Sequence, residues 1–317
     1  MADMVFSGVT FTGGYSISLP AASSSTQKAI FGYGNPLVTL VSTTNLVSNT
    51  GVVGNDVTGV GTARRALAAA GYGTDKAIFG YGILQNNSYT ALTNLVSNTG
   101  VVATDTAGVG TARTYPAAAG YGTDKAIFGY GYNGAFLSMT NLVSNTGVVG
   151  NDVTGVGTTR YILAAAGYGG DKAIFGYGYN GTIFVSITNL VSNTGVVGND
   201  VTGVGTARNG LAAAGYGGDK AIFGYGTTGG GAGIVSMTNL VSNTGVVAND
   251  VTGVGTARTQ LAAAVYGGDK AIFGYGSASG GSTSTTNLVS NTGVVAANTT
   301  GVGTAREELA AAGYSST

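Results

Sequence analysis

Short apolar runs closed by glycines recur along the chain, separated by stretches rich in Ser, Thr and Asn. Lys76-Ala-Ile-Phe-Gly-Tyr-Gly82 is one such run; its length and aromatic content predict a buried strand. Thr93-Asn-Leu-Val-Ser97 predicts a second strand. Gly100-Val-Val102 and Gly108-Val-Gly-Thr-Ala-Arg113 frame a third, with a turn at Thr104-Asp105. Leu67-Ala-Ala-Ala-Gly-Tyr-Gly73 is ambiguous, because alanine is the best helix former. Glycines end the run within one turn, too short for a stable isolated helix. We read it as a strand whose small side chains suit a crowded place.

These runs form one phrase written six times. Lys28, Lys76, Lys125, Lys172, Lys220 and Lys270 mark it, at steps of 48, 49, 47, 48 and 50 residues. A fixed period of this size signals a propeller or a solenoid. We label the segments A (Leu-Ala-Ala-Ala), B (Lys-Ala-Ile-Phe), C (Thr-Asn-Leu-Val) and D (Thr-Gly-Val-Gly-Thr-Ala). Four short strands per copy predict an all-β fold, a six-bladed β-propeller of four-stranded antiparallel blades. Segment A is expected innermost, where only Ala or Gly fits. Seven A-like segments exist if Ser18-Leu-Pro-Ala-Ala22 is counted, so seven blades is the alternative. The C-terminal segment 308–314 is expected to serve as segment A of the first copy, removing an open edge. Residues 1–15 are expected to be an N-terminal arm and 16–317 the propeller.

Arg160-x-x-Leu163-Ala-Ala-Ala166 followed by Lys172-Ala-Ile-Phe-Gly-Tyr-Gly178 resembles the kelch repeat, with its Arg, Ala-rich first strand and glycine-ended strand. The resemblance spans roughly residues 16 to 314 on a period near the ~50 of kelch. Two departures stand out: the kelch glycine pair is split as Gly-Tyr-Gly, and the kelch Trp is absent. The phrases are also similar to uncharacterised repeat proteins of marine phages. That likeness implies a virion setting, with other virion proteins as partners of the arm.

Comparing the copies shows where variation is tolerated. One varied stretch is the pair after each Arg: Arg65-Ala66, Thr114-Tyr115, Tyr161-Ile162, Asn209-Gly210, Thr259-Gln260 and Glu307-Glu308. The other is the B-to-C connection: 35–43, 83–92, 132–139, 179–187, 227–237 and 277–285. In an antiparallel blade the D-to-A and B-to-C connections leave from the same edge, so both are expected on one face. The A-to-B and C-to-D turns hardly change and are expected on the other. Loops on a rigid scaffold are where binding resides. Tyr132-Asn133-Gly134, Tyr179-Asn180-Gly181 and Asn86-Asn87-Ser88-Tyr89 have paratope-like composition. Ile83, Leu84, Phe136 and Phe184 are expected to add exposed apolar surface.

Composition removes whole classes of function. Lys plus Arg and Asp plus Glu are 13 each, and charged residues are 8% of the chain. A nucleic-acid footprint, which needs clustered excess cations, is therefore not expected. Weak surface polarity at zero net charge favours association with something larger. There is no Cys and no His, so thiol chemistry, imidazole bases and the usual transition-metal ligands are missing. No apolar run reaches the ~18 residues of a membrane span. The start, Met1-Ala-Asp-Met-Val-Phe6, has no basic region before an apolar stretch, so no secretory signal is expected.

Several motifs dissolve on inspection. Gly129-x-Gly131-x-x-Gly134 and Gly176-x-Gly178-x-x-Gly181 spell the dinucleotide fingerprint but lack the following helix and acid. Gly-Gly-Asp-Lys lacks the P-loop spacing. Arg64, Arg113, Arg160, Arg208, Arg258 and Arg306 could line an anion site, but sixfold repetition favours ties to backbone carbonyls and aspartates. Asp56, Asp105, Asp152, Asp200 and Asp250 fall in C-to-D turns, where Asp bonds its own backbone. As single carboxylates there they are weak calcium candidates. Glu307 and Glu308 are the only glutamates, and adjacent positions on a strand face opposite sides. Six-bladed sialidases use an Arg triad, a Tyr and acids, all present here, but their Asp-box repeats are missing. The sequence points to a non-enzymatic binding module without cofactor, metal, nucleic acid or membrane insertion, recognising a host-surface protein or glycan from a virion appendage. A structural or designed repeat propeller without a ligand is the alternative.

Overall fold

The computed structural model describes residues 26–229 and 233–315. The expected arm at 1–15 and the A-like segment Ser18–Ala22 lie outside these residues. Among the described residues there is no helix, and so none long and apolar enough to cross a membrane. The described residues form six three-stranded antiparallel sheets and two minor strand pairs.

Each main sheet sets segment B between A and C. In the second copy Ala68–Tyr72, Lys76–Gly80 and Thr93–Val96 are the three strands. Ala70 lies opposite Ile78, and Ile78 opposite Leu95. The central position explains why B is a continuous apolar run: Ala77, Ile78, Phe79 and Gly80 are buried on both faces of the sheet. In the first sheet the place of segment A is taken by the C-terminal strand Ala310–Ser315, with Ala29 opposite Gly313 and Gly32 opposite Ala310. That partnership is the one expected from the sequence.

The A strands neighbour one another in a series that returns on itself. Ala310–Ser315 lies against Ala68–Tyr72, then come Ala117–Tyr121, Ala164–Tyr168, Ala212–Tyr216 and Ala262–Tyr266, which lies against Ala310–Ser315 again. Their approach is close: a Cβ on Gly71 would sit 3.2 Å from the Gly313 carbonyl oxygen. The hydrophobic core lies between neighbouring sheets. Ile30 and Tyr33 of the first copy pack with Ala77, Phe79 and Val96 of the second, joined by Ala312 and Tyr314. The Phe79 ring reaches over Gly32, where a Cβ would meet it at 2.8 Å. Tyr33 meets Phe79 edge-on at 5.1 Å between ring centroids. The split Gly-Tyr-Gly now has a reason. Tyr33 takes φ of +64°, a strained value for a non-glycine, to send its ring into the next sheet's core.

One expectation needs correction: the sheets have three strands, not four. Segment D makes only isolated bridges to C, such as Thr93 with Thr106 and Val96 with Val102. The cause is that D crosses to the next copy and bonds side chains instead of a ladder. The Thr62 N–H and Oγ1 both donate to Asp105, and the sixth such strap runs from Thr304 to Asp56. The C-to-D aspartates therefore accept from the preceding copy, rather than from their own turns. In the last copy Asn298 replaces Asp and exchanges two hydrogen bonds with Thr256.

The six arginines of the phrase are structural. All are 0% exposed. Arg160 stacks 4.4 Å over the Tyr130 ring and donates to Asn189 Oδ1 and the Thr158 carbonyl. Asp200 lies 3.9 Å away. Burial lowers the Arg160 pKa, an effect the Tyr130 and Asp200 neighbours oppose. Enclosed by protein partners, these guanidiniums are not available as an anion site.

Candidate ligand-binding face

The two varied stretches meet. The first residue after each Arg bridges the residue that opens the B-to-C connection of the same copy. Arg65 pairs with Ile83, Thr114 with Tyr132, Tyr161 with Tyr179, Asn209 with Thr227, Thr259 with Ser277, and Glu307 with Asn35. Each pair lies just past the Gly-Tyr-Gly end of segment B, where the register against segment C shifts in the first and third copies. The A-to-B turns, which hardly change, touch the C-to-D turns instead. A Cβ on Gly73 would meet the Asn145 carbonyl oxygen at 2.9 Å.

The second residue after each Arg belongs to an inner ring. Ala66, Tyr115, Ile162, Gln260 and Glu308 hold φ between +49° and +56°, and Gly210 holds +63°. This left-handed turn lets their amides link copy to copy: Ala66 N–H donates to Glu308 O, Tyr115 to Ala66, Gly210 to Ile162, Gln260 to Gly210 and Glu308 to Gln260. With the neighbouring leucines, the ring encloses a cavity of about 80 Å³.

Three ring side chains converge with Arg65. Tyr115 O–H donates to Glu308 Oε1. Gln260 Nε2 donates to the same oxygen at 3.2 Å, and Arg65 Nη1 pairs with Oε2 at 2.6 Å. Burial raises the Tyr115 pKa, and the Glu308 carboxylate raises it further. Burial alone would lower the Arg65 pKa, but the Glu308 hydrogen bond and charge reverse this and raise it. Glu308 thus faces the ring interior, while the Glu307 backbone pairs with Asn35. Both Glu308 oxygens are engaged by protein donors, a positioning role rather than that of a free acid.

Beside this cluster lies a strip of aromatic rings drawn from three successive copies. Tyr89 touches Tyr132 at 6.2 Å, Tyr132 touches Phe136 at 5.3 Å, and Phe136 touches Tyr161 at 5.4 Å. Tyr161 also contacts Tyr115 at 5.8 Å and Tyr179 at 6.0 Å, and Tyr179 meets Phe184 at 5.6 Å. Most pairs are edge-to-face or tilted, as the ring quadrupole favours. The matching loops of the fifth, sixth and first copies carry no aromatic side chain.

The residues singled out from sequence separate by depth. Tyr89, Tyr132, Phe136, Tyr161, Tyr179 and Phe184 form the strip and are half-buried; Arg65, Leu84, Asn209, Thr259, Gln260 and Glu307 are half-buried too but lie outside the strip. Ala66 and Glu308 are buried and shape the ring instead of offering surface, and Thr114, paired with Tyr132, is buried as well. Ile83, Leu84, Phe136 and Phe184 are not the exposed hydrophobes expected, because rings and loops pack over them. Leu37, Val38 and Ile183 are the exposed ones on these loops. Sequence reasoning missed the Arg65–Glu308 pair, whose members lie 243 positions apart. It also missed Val52, Val101, Val148, Val196, Val246 and Val294 in the invariant C-to-D turns, each about 65% exposed.

A larger recess, about 300 Å³, lies among the A-to-B turns. Lys76, Lys125, Lys172 and Lys220 line it, each within 2.9 Å of its own preceding aspartate. The charges of these four lysines are offset locally by their aspartates, and the lining departs from the repeat only at small positions such as Gln27 and Val265. The small varied mouth is the better candidate despite its size. Among the described residues no cluster of three or more carboxylates could hold a metal. No protein-family model matches the chain, and no curated protein does.

Proposed function

We propose that the chain is a six-bladed, kelch-like β-propeller that acts without catalysis, binding a partner through its varied face. The observation that carries this is the set of six bridges between the residue after Arg and the B-to-C connection. Two stretches that vary independently along the chain thereby become one surface on an invariant scaffold, the arrangement in which binding loops recur. Six blades accord with the returning series of A strands and with the six straps. The setting we propose is a virion appendage, on the likeness of its phrases to marine phage repeat proteins, with a host-surface protein or glycan as partner.

A second reading is favoured by the six valines on the invariant turns. Identical apolar side chains exposed in every copy suit a module whose uniform end packs into a larger assembly.

The test grafts the sixth copy's residues onto the third and fourth. Thr259-Gln260 and 277–285 replace 114–115, 161–162, 132–139 and 179–187 in the full chain. Labelled protein is then screened against a panel of bacterial cells. Cell binding by the parent and its loss in the graft, at an unchanged unfolding midpoint, is the expected result. Binding equal in both, or binding abolished only by Val→Ser changes on the C-to-D turns, overturns the proposal.

A further inference from the structure

We infer that two neighbouring loops of like composition form tandem subsites for a neutral glycan of repeating units. This rests on the reading that the varied face binds, and names the class of ligand. The third and fourth copies both open their B-to-C connection with Tyr-Asn-Gly and follow it with Phe: Tyr132, Asn133, Phe136 and Tyr179, Asn180, Phe184. No other copy does so. Each loop pairs its own Tyr and Phe, at 5.3 and 5.6 Å. The two pairs join through Phe136 and Tyr179 at 5.9 Å, so they form one track. Each Asn folds its loop by accepting amide hydrogens at Oδ1, from Ala135 for Asn133 and from Thr182 and Ile183 for Asn180. That leaves both Nδ2 groups without a protein acceptor among the described residues, beside aromatic rings.

The chemistry of the track selects the ligand. Residues 114–116, 132–139, 161–162 and 179–187 contain no Asp, Glu, Lys or Arg. The track therefore offers no charge to pair with an anionic or cationic ligand. A neutral sugar chain presents apolar ring faces to aromatic side chains and hydroxyl acceptors to amide donors. Two like subsites side by side suit a ligand whose units repeat.

The test is frontal chromatography of the full chain on immobilised dextran, mannan, galactomannan and cellulose. At least one column is expected to retain it. Soluble oligomers of that polysaccharide should compete at least tenfold better once long enough to span both loops. Tyr132→Ala and Tyr179→Ala should each weaken retention about tenfold, and the pair together should abolish it. Asn133→Ala and Asn180→Ala, which leave the rings in place, should weaken it several-fold and serve if a tyrosine variant is unstable. Lys125→Ala, in the opposite recess, should change nothing. Retention by none of the columns, or retention indifferent to all four loop variants, overturns the inference. If the graft still abolishes cell binding, but protease treatment of the cells removes that binding and periodate does not, the binding face stands and the glycan assignment falls.

Discussion

Replacing Asp200 by Ala should loosen the strap between the third and fourth copies, whereas Asn should largely preserve it. Asp200 accepts from Thr158 N–H at 3.0 Å, from Thr158 Oγ1 at 2.6 Å and from Asn189 Nδ2 at 2.9 Å. It also faces the buried Arg160 at 3.9 Å. Hydrogen bonds to a charged group contribute about 1.5–3 kcal/mol each when enclosed, and less where water competes, as at this partly exposed carboxylate. Loss of all three should destabilise the chain by about 2–4 kcal/mol. Asn keeps an acceptor and gains a donor, and Asn298 shows the geometry works: it accepts from Thr256 N–H and donates to Thr256 Oγ1 at 2.7 Å. Asp200→Asn should therefore cost under about 1 kcal/mol. The assay is urea unfolding followed by circular dichroism at neutral and acid pH. Burial alone would raise the Asp200 pKa, but its hydrogen bonds from Thr158 and Asn189 outweigh that and lower it. Its contribution is thus complete above the ordinary carboxylate value of about 3.9 and is lost as pH falls through the lower native value. Asp56, Asp105, Asp152 and Asp250 are lowered likewise, so the parent should lose stability steeply in that acid range. Asp200→Asn should shallow that loss. Equal stability of Ala and Asn variants, or an unchanged acid profile for Asn, would refute the strap.

Phe79→Ala should destabilise the chain by about 3–5 kcal/mol, since the ring is fully buried against Tyr33 and nothing nearby can collapse into its place. Gly32→Ala should cost about 1–3 kcal/mol by driving a methyl into that same ring; thermal unfolding reads both. Ile162→Asn should raise stability by up to about 1 kcal/mol, because a β-branched residue at φ +52° is replaced by one that tolerates the left-handed region. A lowered midpoint would mean that Ile162 packing outweighs the strain.

Much of the fold could be read from the chain because local and global signals agree. After its Lys, segment B is apolar at every position, and the structure buries it on both faces. The glycine that closes the alanine run of segment A sits where neighbouring A strands come within a carbon's reach of each other's carbonyls, as Gly71 does at Gly313. Segment D misled because its Val and Thr content reads as strand, while its glycines and its Thr hydroxyls serve the strap. That use depends on an aspartate 41 to 44 residues further on, or on Asp56 at the far end of the chain.

By itself, the sequence determined the period, the strand-forming segments and the division between invariant and varied stretches, since each is a property of neighbours along the chain. Only the tertiary structure decided that Arg65 meets Glu308, that Tyr89 through Phe184 join into one strip, and that the arginines are sealed inside. Those outcomes depend on which copy lies beside which, and on how far each strand end bends. Such long-range contacts follow from packing whole sheets together, and no local pattern encodes them.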